Sequence, residues 1–246
     1  MRKIFAFLFL CVLILPLSHV TAQDDANACS PDAIRSRADD IYTVYAITST
    51  IDKDIESALR TLENLQTSLD ELHQDCSLHL AETLLANLET GGFVVYVRHA
   101  ATDVTQTDSD LSSCETQRNL SDQGREDAQR IGEYFATLNI PVNRLISTEY
   151  CRTRETAQMA FGEPEIIDRV TLTGMLLELL STPPPAGTNT FIVAHIGVIA
   201  PYMPQTTTFE EGDALIYAPK GDDGFELIER IPLAYWELFA EIQEGR

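Results

Sequence analysis

Phe93-Val94-Val95-Tyr96-Val97 is an unbroken run of β-prone apolar residues that ends directly on Arg98-His99. A short run without polar alternation reads as a strand buried on both faces, which requires helices on either side of its sheet. Gly91-Gly92 precede it as the C-cap of an amphipathic segment from Leu78 to Leu88. Beyond it, helical periodicity returns from Asp122 to Leu138 behind the cap residue Ser121. Leu145-Ile146 suggests a brief strand, Thr153 to Ala160 a helix, and Thr190 to Ala194 a second fully apolar strand. Asp213 to Tyr217 and Phe225 to Glu229 read as strands around the turn Gly221-Asp222-Asp223-Gly224, and Ala234 to Glu241 as a closing helix. Strand and helix alternating at these lengths predict an α/β fold, a three-layer αβα sandwich on a mostly parallel central sheet.

Upstream of the strand the pattern is helical. Ile34, Ala38, Ile41 and Tyr45 repeat at three- and four-residue steps, as do Ile55, Leu59, Leu62, Leu65, Leu69 and Leu72. A helical hairpin turning between Thr48 and Lys53 follows, with Ser30 as N-cap before Pro31. At the start, Arg2 and Lys3, the apolar run Ile4 to Leu17 and Val20-Thr21-Ala22 have the pattern of a cleaved secretory signal. The apolar run is shorter than the roughly 20 residues that span a bilayer, so no stable membrane anchor is expected. The expected organisation is a signal peptide over 1–22, the hairpin and a connecting helix over 23–90, and an α/β domain over 91–246.

Removing Arg2 and Lys3 takes the formal charge of −21 to −23. Nucleic acid requires a basic face and is excluded as a partner on that ground. Cys29, Cys76, Cys114 and Cys151 form an even set after the signal, consistent with two disulfides in a periplasmic or secreted protein, although four cysteines permit three pairings. Folding the hairpin about position 52 brings Cys29 opposite Cys76. Cys114 and Cys151 then flank the functional loops, and a bridge between them would anchor the long loop from Ala101 to Asn119.

Ligands of open α/β sheets bind at the carboxyl ends of the strands. Arg98-His99 follows Val97, His195 follows Ala194, and Arg152 opens a helix beyond a third strand. Two guanidiniums and two imidazoles can therefore converge on one pocket. Arginine forks offer bidentate donors to a phosphoryl dianion, and a neutral imidazole can attack phosphorus and carry it covalently. The Arg98 charge beside His99 favours that neutral form.

Tyr96-Val97-Arg98-His99-Ala100 resembles the Arg-His-Gly signature of the histidine phosphatase superfamily, also called the phosphoglycerate mutase-like family. Asn119 to Arg125 resembles its Leu-Ser/Thr-x-x-Gly-Arg segment, Ser147 to Ala157 its strand end with arginine and Thr-Ala, and Val193 to Val198 the block of its second histidine. The resemblance implies His99 as the phosphorylated nucleophile, with Arg98, Arg152 and His195 binding the phosphoryl group. It implies no cofactor and no metal. The substrate would be a phosphorylated small molecule or a phosphoprotein, and oligomeric state is not readable from the sequence.

Three positions depart from the family pattern. Ala100 replaces glycine. Ile196 stands where one branch has an acidic proton donor, and no acid falls around Leu172-Thr173-Gly174, where the other branch carries its glutamate. Glu149, Asp168 and Glu178 remain as candidate donors. The expected function is an exported phosphomonoesterase working through phosphohistidine. The rival is a non-catalytic module that binds phosphate or a phosphorylated partner in the same pocket.

Overall fold

The computed structural model of the chain describes Thr43 and residues 55–246. The signal segment, the hairpin turn and the Cys29–Cys76 pairing lie outside the described residues. The chain divides into two compact units, Met1–Cys76 and Ser77–Arg246. The described part of the first is helix α1, Ile55–Thr90, which continues into the second. No glycine or proline interrupts these 36 residues, so the repeats read separately at Ile55 to Leu72 and Leu78 to Leu88 form one element. Gly91, at φ +80°, ends it by donating to the Asn87 carbonyl.

In the second unit, β1 (Val94–Arg98), β2 (Val142–Ser147), β3 (Glu165–Ile166), β4 (Asn189–Ala194), β5 (Ala214–Pro219) and β6 (Phe225–Ile231) form one sheet in the order β3-β2-β4-β1-β5-β6. Pairs β1–β4, β2–β4 and β2–β3 are parallel, whereas β5 and β6 add antiparallel at one edge. The helices are α2 (Asp122–Phe135), α3 (Cys151–Ala160), α4 (Arg169–Ser181), the single turn α5 (Ile196–Ile199) and α6 (Tyr235–Glu244). Among the described residues no helix is long and apolar enough to cross a membrane.

The two-residue period of the strands sorts their side chains into two cores. Val95, Val97, Phe191, Val193, Ala214 and Ile216 pack on one side with Leu84 and Leu88 of α1, Ile131 of α2, Ala157 of α3 and Trp236 of α6. Val94, Tyr96, Ile192, Ala194, Leu215 and Tyr217 pack on the other with Leu172, Leu176 and Leu180 of α4 and Val198 of α5. The result is the expected three-layer αβα sandwich. Two glycines set how closely α2 approaches its neighbours: a Cβ on Gly124 would lie 1.9 Å from the Ala101 carbonyl oxygen, and one on Gly132 would lie 2.1 Å from that of Met159 on α3. Both contacts are with backbone, which cannot swing aside.

Two elements were not anticipated. β3 has only two residues, too few to leave a pattern. Helix α4 covers the Leu172-Thr173-Gly174 stretch in which an acid had been sought. Its sequence is apolar nearly all round, with Leu177 and Val170 exposed while Leu172, Leu176 and Leu180 are buried, so no polar face marks it as a helix. α2 stops at Phe135 rather than Leu138, because the chain turns through Ala136 and Thr137 back to Gly132 and Tyr134.

Candidate active site

Parallel pairing of β1 with β4 sets Arg98 opposite Ala194, which places the two residues that follow side by side. The His99 and His195 rings lie 5.4 Å apart at 66°. The His99 amide donates to the Ala194 carbonyl at 3.1 Å, locking the two strand ends together. His99 Nδ1 lies 2.9 Å from the Ala100 carbonyl, which can only accept, so Nδ1 carries the proton. The lone pair is thereby left on Nε2, the nitrogen with no partner among the described hydrogen bonds.

Several neighbours hold this loop still. The Ala100 amide donates to Thr156 Oγ1, which itself donates to the Arg152 carbonyl, so the His99 loop is hydrogen-bonded to α3. Ala100, where the family signature has glycine, is fully buried against Leu120 and Ala128. His195 Nε2 meets Thr148 Oγ1 at 3.0 Å, the Tyr96 hydroxyl donates to the His195 carbonyl, and the Tyr150 ring stands edge-on to the imidazole at 4.6 Å.

The guanidiniums come from three parts of the chain, β1, α3 and the Ala101 to Asn119 loop. Arg152, in the first turn of α3, stacks 4.5 Å from the Tyr150 ring centre and donates to Asp108 Oδ1 at 2.9 Å and the Arg118 carbonyl at 3.1 Å. Arg98 donates to the Phe209 carbonyl at 2.6 Å and reaches Glu211 Oε1 at 3.5 Å. Arg118, near the end of the Ala101 to Asn119 loop, reaches the same oxygen at 3.4 Å and donates to Thr102 Oγ1. A disulfide joins Cys114 to Cys151, the residue before Arg152, and so ties that loop to the start of α3. Gln117 adds a second tie by accepting from the Cys151 amide.

Arg98, His99, Arg152 and His195 therefore form one cluster, in which both arginines bear electrostatically on both imidazoles. The candidate donors do not reach it: among the described residues none of the three makes a hydrogen bond or ion pair with these four. Glu149 accepts from the Arg169 amide at 2.7 Å. Asp168 is the N-cap of α4, where hydrogen bonds from Thr171 hold its carboxyl below its ordinary value, and Glu178 lies exposed further along that helix. Sequence reasoning missed Glu211, Asp108 and Thr102. Their loops carry no periodicity, and Glu210-Glu211-Gly212-Asp213 reads only as the polar approach to β5.

Burial, together with the Arg152 charge, pushes His195 down to about 2. Burial likewise pushes His99 down to about 4; its bond to the Ala100 carbonyl and the Glu211 charge oppose this, and Arg152 and Arg98 reinforce it. A depressed imidazole is neutral and nucleophilic across the physiological range. Ring-nitrogen NMR on the unliganded protein is therefore expected to show both imidazoles uncharged at pH 5, where a free histidine is mostly protonated. The same shifts couple to folding. Between pH 6.5 and about 4 the unfolded chain takes up the His99 proton and the folded chain does not, so stability falls as pH is lowered through that window and is recovered above 6.5. Complete traverse costs roughly 3 kcal/mol for His99, which a series of denaturant melts can read. Ordinary titration of both rings near 6.5 would refute the assignment.

The fold and pocket define the class as an α/β protein with a pair of strand-end histidines framed by arginines. The family model of the histidine phosphatase superfamily (branch 1) matches residues 94–179 of the chain. His195 lies beyond the matched stretch. Similar solved structures include the protein histidine phosphatase SixA complexed with tungstate, at 10% identity over 58% of this chain and 97% of that one, with a TM-score of 0.44. A putative phosphohistidine phosphatase SixA from Agrobacterium tumefaciens is 16% identical over 57% and 98%, with a TM-score of 0.42. A mutant phosphoserine phosphatase from Entamoeba histolytica, in complex with phosphoserine, is 12% identical over 58% and 98%, also at 0.42. No curated protein matches the chain.

Proposed function

We propose that the protein is an exported, metal-independent phosphomonoesterase that works through a phosphohistidine on His99. The observation that carries this reading is the Nδ1–Ala100 hydrogen bond, which leaves Nε2 as the free lone pair beside His195. Nε2 attacks phosphorus, the bond from phosphorus to the leaving oxygen breaks, and that oxygen departs with the electron pair. Water then cleaves the N–P bond, giving inorganic phosphate and restoring the neutral ring. Arg98, Arg152 and His195 bind the phosphoryl oxygens and stabilise the charge that spreads over them in transfer.

Protonation of the leaving group limits the substrate. Glu149, Asp168 and Glu178 are held away from the pocket, so no carboxylic acid among them can assist departure. Aryl phosphates, acyl phosphates and phosphohistidine leave readily without an acid and are the preferred class; alkyl monoesters are poor substrates. The Cys114–Cys151 bridge and the secretory pattern of residues 1–22 support a periplasmic or secreted location.

Rapid mixing with an aryl phosphate tests the reading. We expect a burst of aryl alcohol approaching one equivalent per chain, followed by slower turnover that a metal chelator does not reduce. Phosphate binding with no burst and no turnover would instead establish the non-catalytic binding module.

A further inference from the structure

We propose that Glu211 is a built-in counter-ion of the phosphate pocket, a positioning residue that holds Arg98 and Arg118 in place and weakens the pocket's grip on phosphate so that product can leave. The inference rests on the proposed site. It assigns a role to a residue that the phosphoryl-transfer step does not use.

Glu211 occupies an unusual place for a carboxylate. Oε1 accepts from the Thr102 hydroxyl at 3.0 Å and lies 3.5 Å from Arg98 and 3.4 Å from Arg118, while Oε2 accepts from the Thr102 amide at 3.1 Å. Both oxygens are thus engaged as acceptors, and the carboxylate is tied to the Thr102 backbone and side chain. The backbone fixes it equally firmly. The Phe209 carbonyl caps Arg98, and the Gly212 amide donates to the carbonyls of Arg98 and His99 at 3.2 and 3.1 Å. One loop, Phe209 to Gly212, therefore orients the Arg98 fork, and its carboxylate couples that fork to the arginine on the disulfide-tethered loop.

The balance of charge indicates what this does to a ligand. Arg98, Arg118 and Arg152 bring three positive charges, and Glu211 with Asp108 offsets two of them. Three unopposed guanidiniums would hold inorganic phosphate strongly, and an enzyme that binds its product too well turns over slowly. The groups facing His99 are Arg98 on β1, Arg152 on α3, His195 after β4 and Glu211 on the loop before β5. Among these Glu211 is the anion, and its charge raises the His99 value against the two arginines.

Glu211→Gln keeps an acceptor oxygen and removes the charge. Calorimetric titration with inorganic phosphate is expected to show binding about tenfold tighter than wild type, the scale of one nearby charge in a partly exposed site. The His99 ring, followed by NMR, is expected to titrate at lower pH. Glu211→Asp keeps the charge and should bind phosphate within about twofold of wild type. Weaker or unchanged binding in the glutamine variant with no movement of the His99 titration overturns the proposal, as does tenfold tightening in the aspartate variant; should the glutamine variant fail to fold, the aspartate result decides. Binding is measured without turnover, so a wild type that binds phosphate but hydrolyses nothing would sink the proposed function and the link to product release, while leaving the counter-ion effect of Glu211 on phosphate affinity standing.

Discussion

Replacing His99 by alanine is expected to lower turnover of an aryl phosphate by at least about 10⁴-fold and to abolish acid-labile phosphorylation of the chain. The size of the effect follows from what the side chain supplies. In the proposed reaction His99 Nε2 forms the bond to phosphorus, whereas Arg98, Arg152 and His195 would bind and polarise the ester without accepting the phosphoryl group in its place. His195 is no substitute, since its Nε2 is engaged with Thr148 and the ring is fixed by Tyr150. The variant should still bind inorganic phosphate, because the arginines remain. Mild-alkali quench after mixing with radiolabelled substrate, followed by acid treatment, reads the covalent intermediate directly. Retained turnover together with retained acid-labile label would falsify the nucleophile assignment. A melting temperature close to wild type excludes misfolding as the cause.

The sequence made the chemistry more legible than its setting. A strand buried on both faces must be apolar throughout, so Val94 to Val97 and Thr190 to Ala194 declared themselves, and the polar residues that abruptly follow each of them mark strand ends. Arg152 was legible for the same reason, standing where a helix begins beyond β2. What remained hidden are contacts made by irregular backbone. Glu211 reaches Arg98 and Arg118 across more than ninety residues, and Asp108 reaches Arg152 across 44. Loops carry no periodicity from which such a partner can be read. Helix α4 was hidden for the opposite reason. An all-apolar stretch lacks the polar face by which an amphipathic helix is recognised, and only its N-cap Asp168 gave a signal, which was read as a candidate acid.

The acid that was sought and not found has a structural counterpart. The segment where one branch of the family would place a carboxylate is here the first turns of α4, and the acids near it are committed to backbone. Glu149 takes the Arg169 amide and Asp168 takes the Thr171 amide, so both satisfy the orphan donors of one helix terminus. Freeing either for proton transfer would leave those donors unpaired. The proposed restriction to good leaving groups is thus a consequence of how α4 is started.

Removing the Cys114–Cys151 bridge is expected to cost both stability and substrate binding. The two cysteines are 37 residues apart, and closing a loop of that length restricts the unfolded chain enough to stabilise the native state by about 4 kcal/mol. For a domain of this size that corresponds to a melting temperature lower by roughly 8 to 16 °C. The double variant Cys114→Ser/Cys151→Ser is the suitable comparison, because a reductant would reach every cysteine in the chain. The functional loss follows from what the bridge holds. The tethered loop delivers Asp108 and the Arg118 carbonyl to Arg152, and the Arg118 side chain to Thr102 and Glu211, while Gln117 supplies the remaining polar tie to the start of α3. Without the covalent link those hydrogen bonds must order the loop by themselves, and part of the substrate's binding energy goes into ordering it. KM should rise about tenfold while kcat changes less, since His99 and its Ala100 and Thr156 supports lie outside the bridged loop. Faster proteolysis between Ala101 and Asn119 should accompany the change. A double variant that melts within about 2 °C of wild type and keeps its KM would show that the loop is ordered by its hydrogen bonds alone.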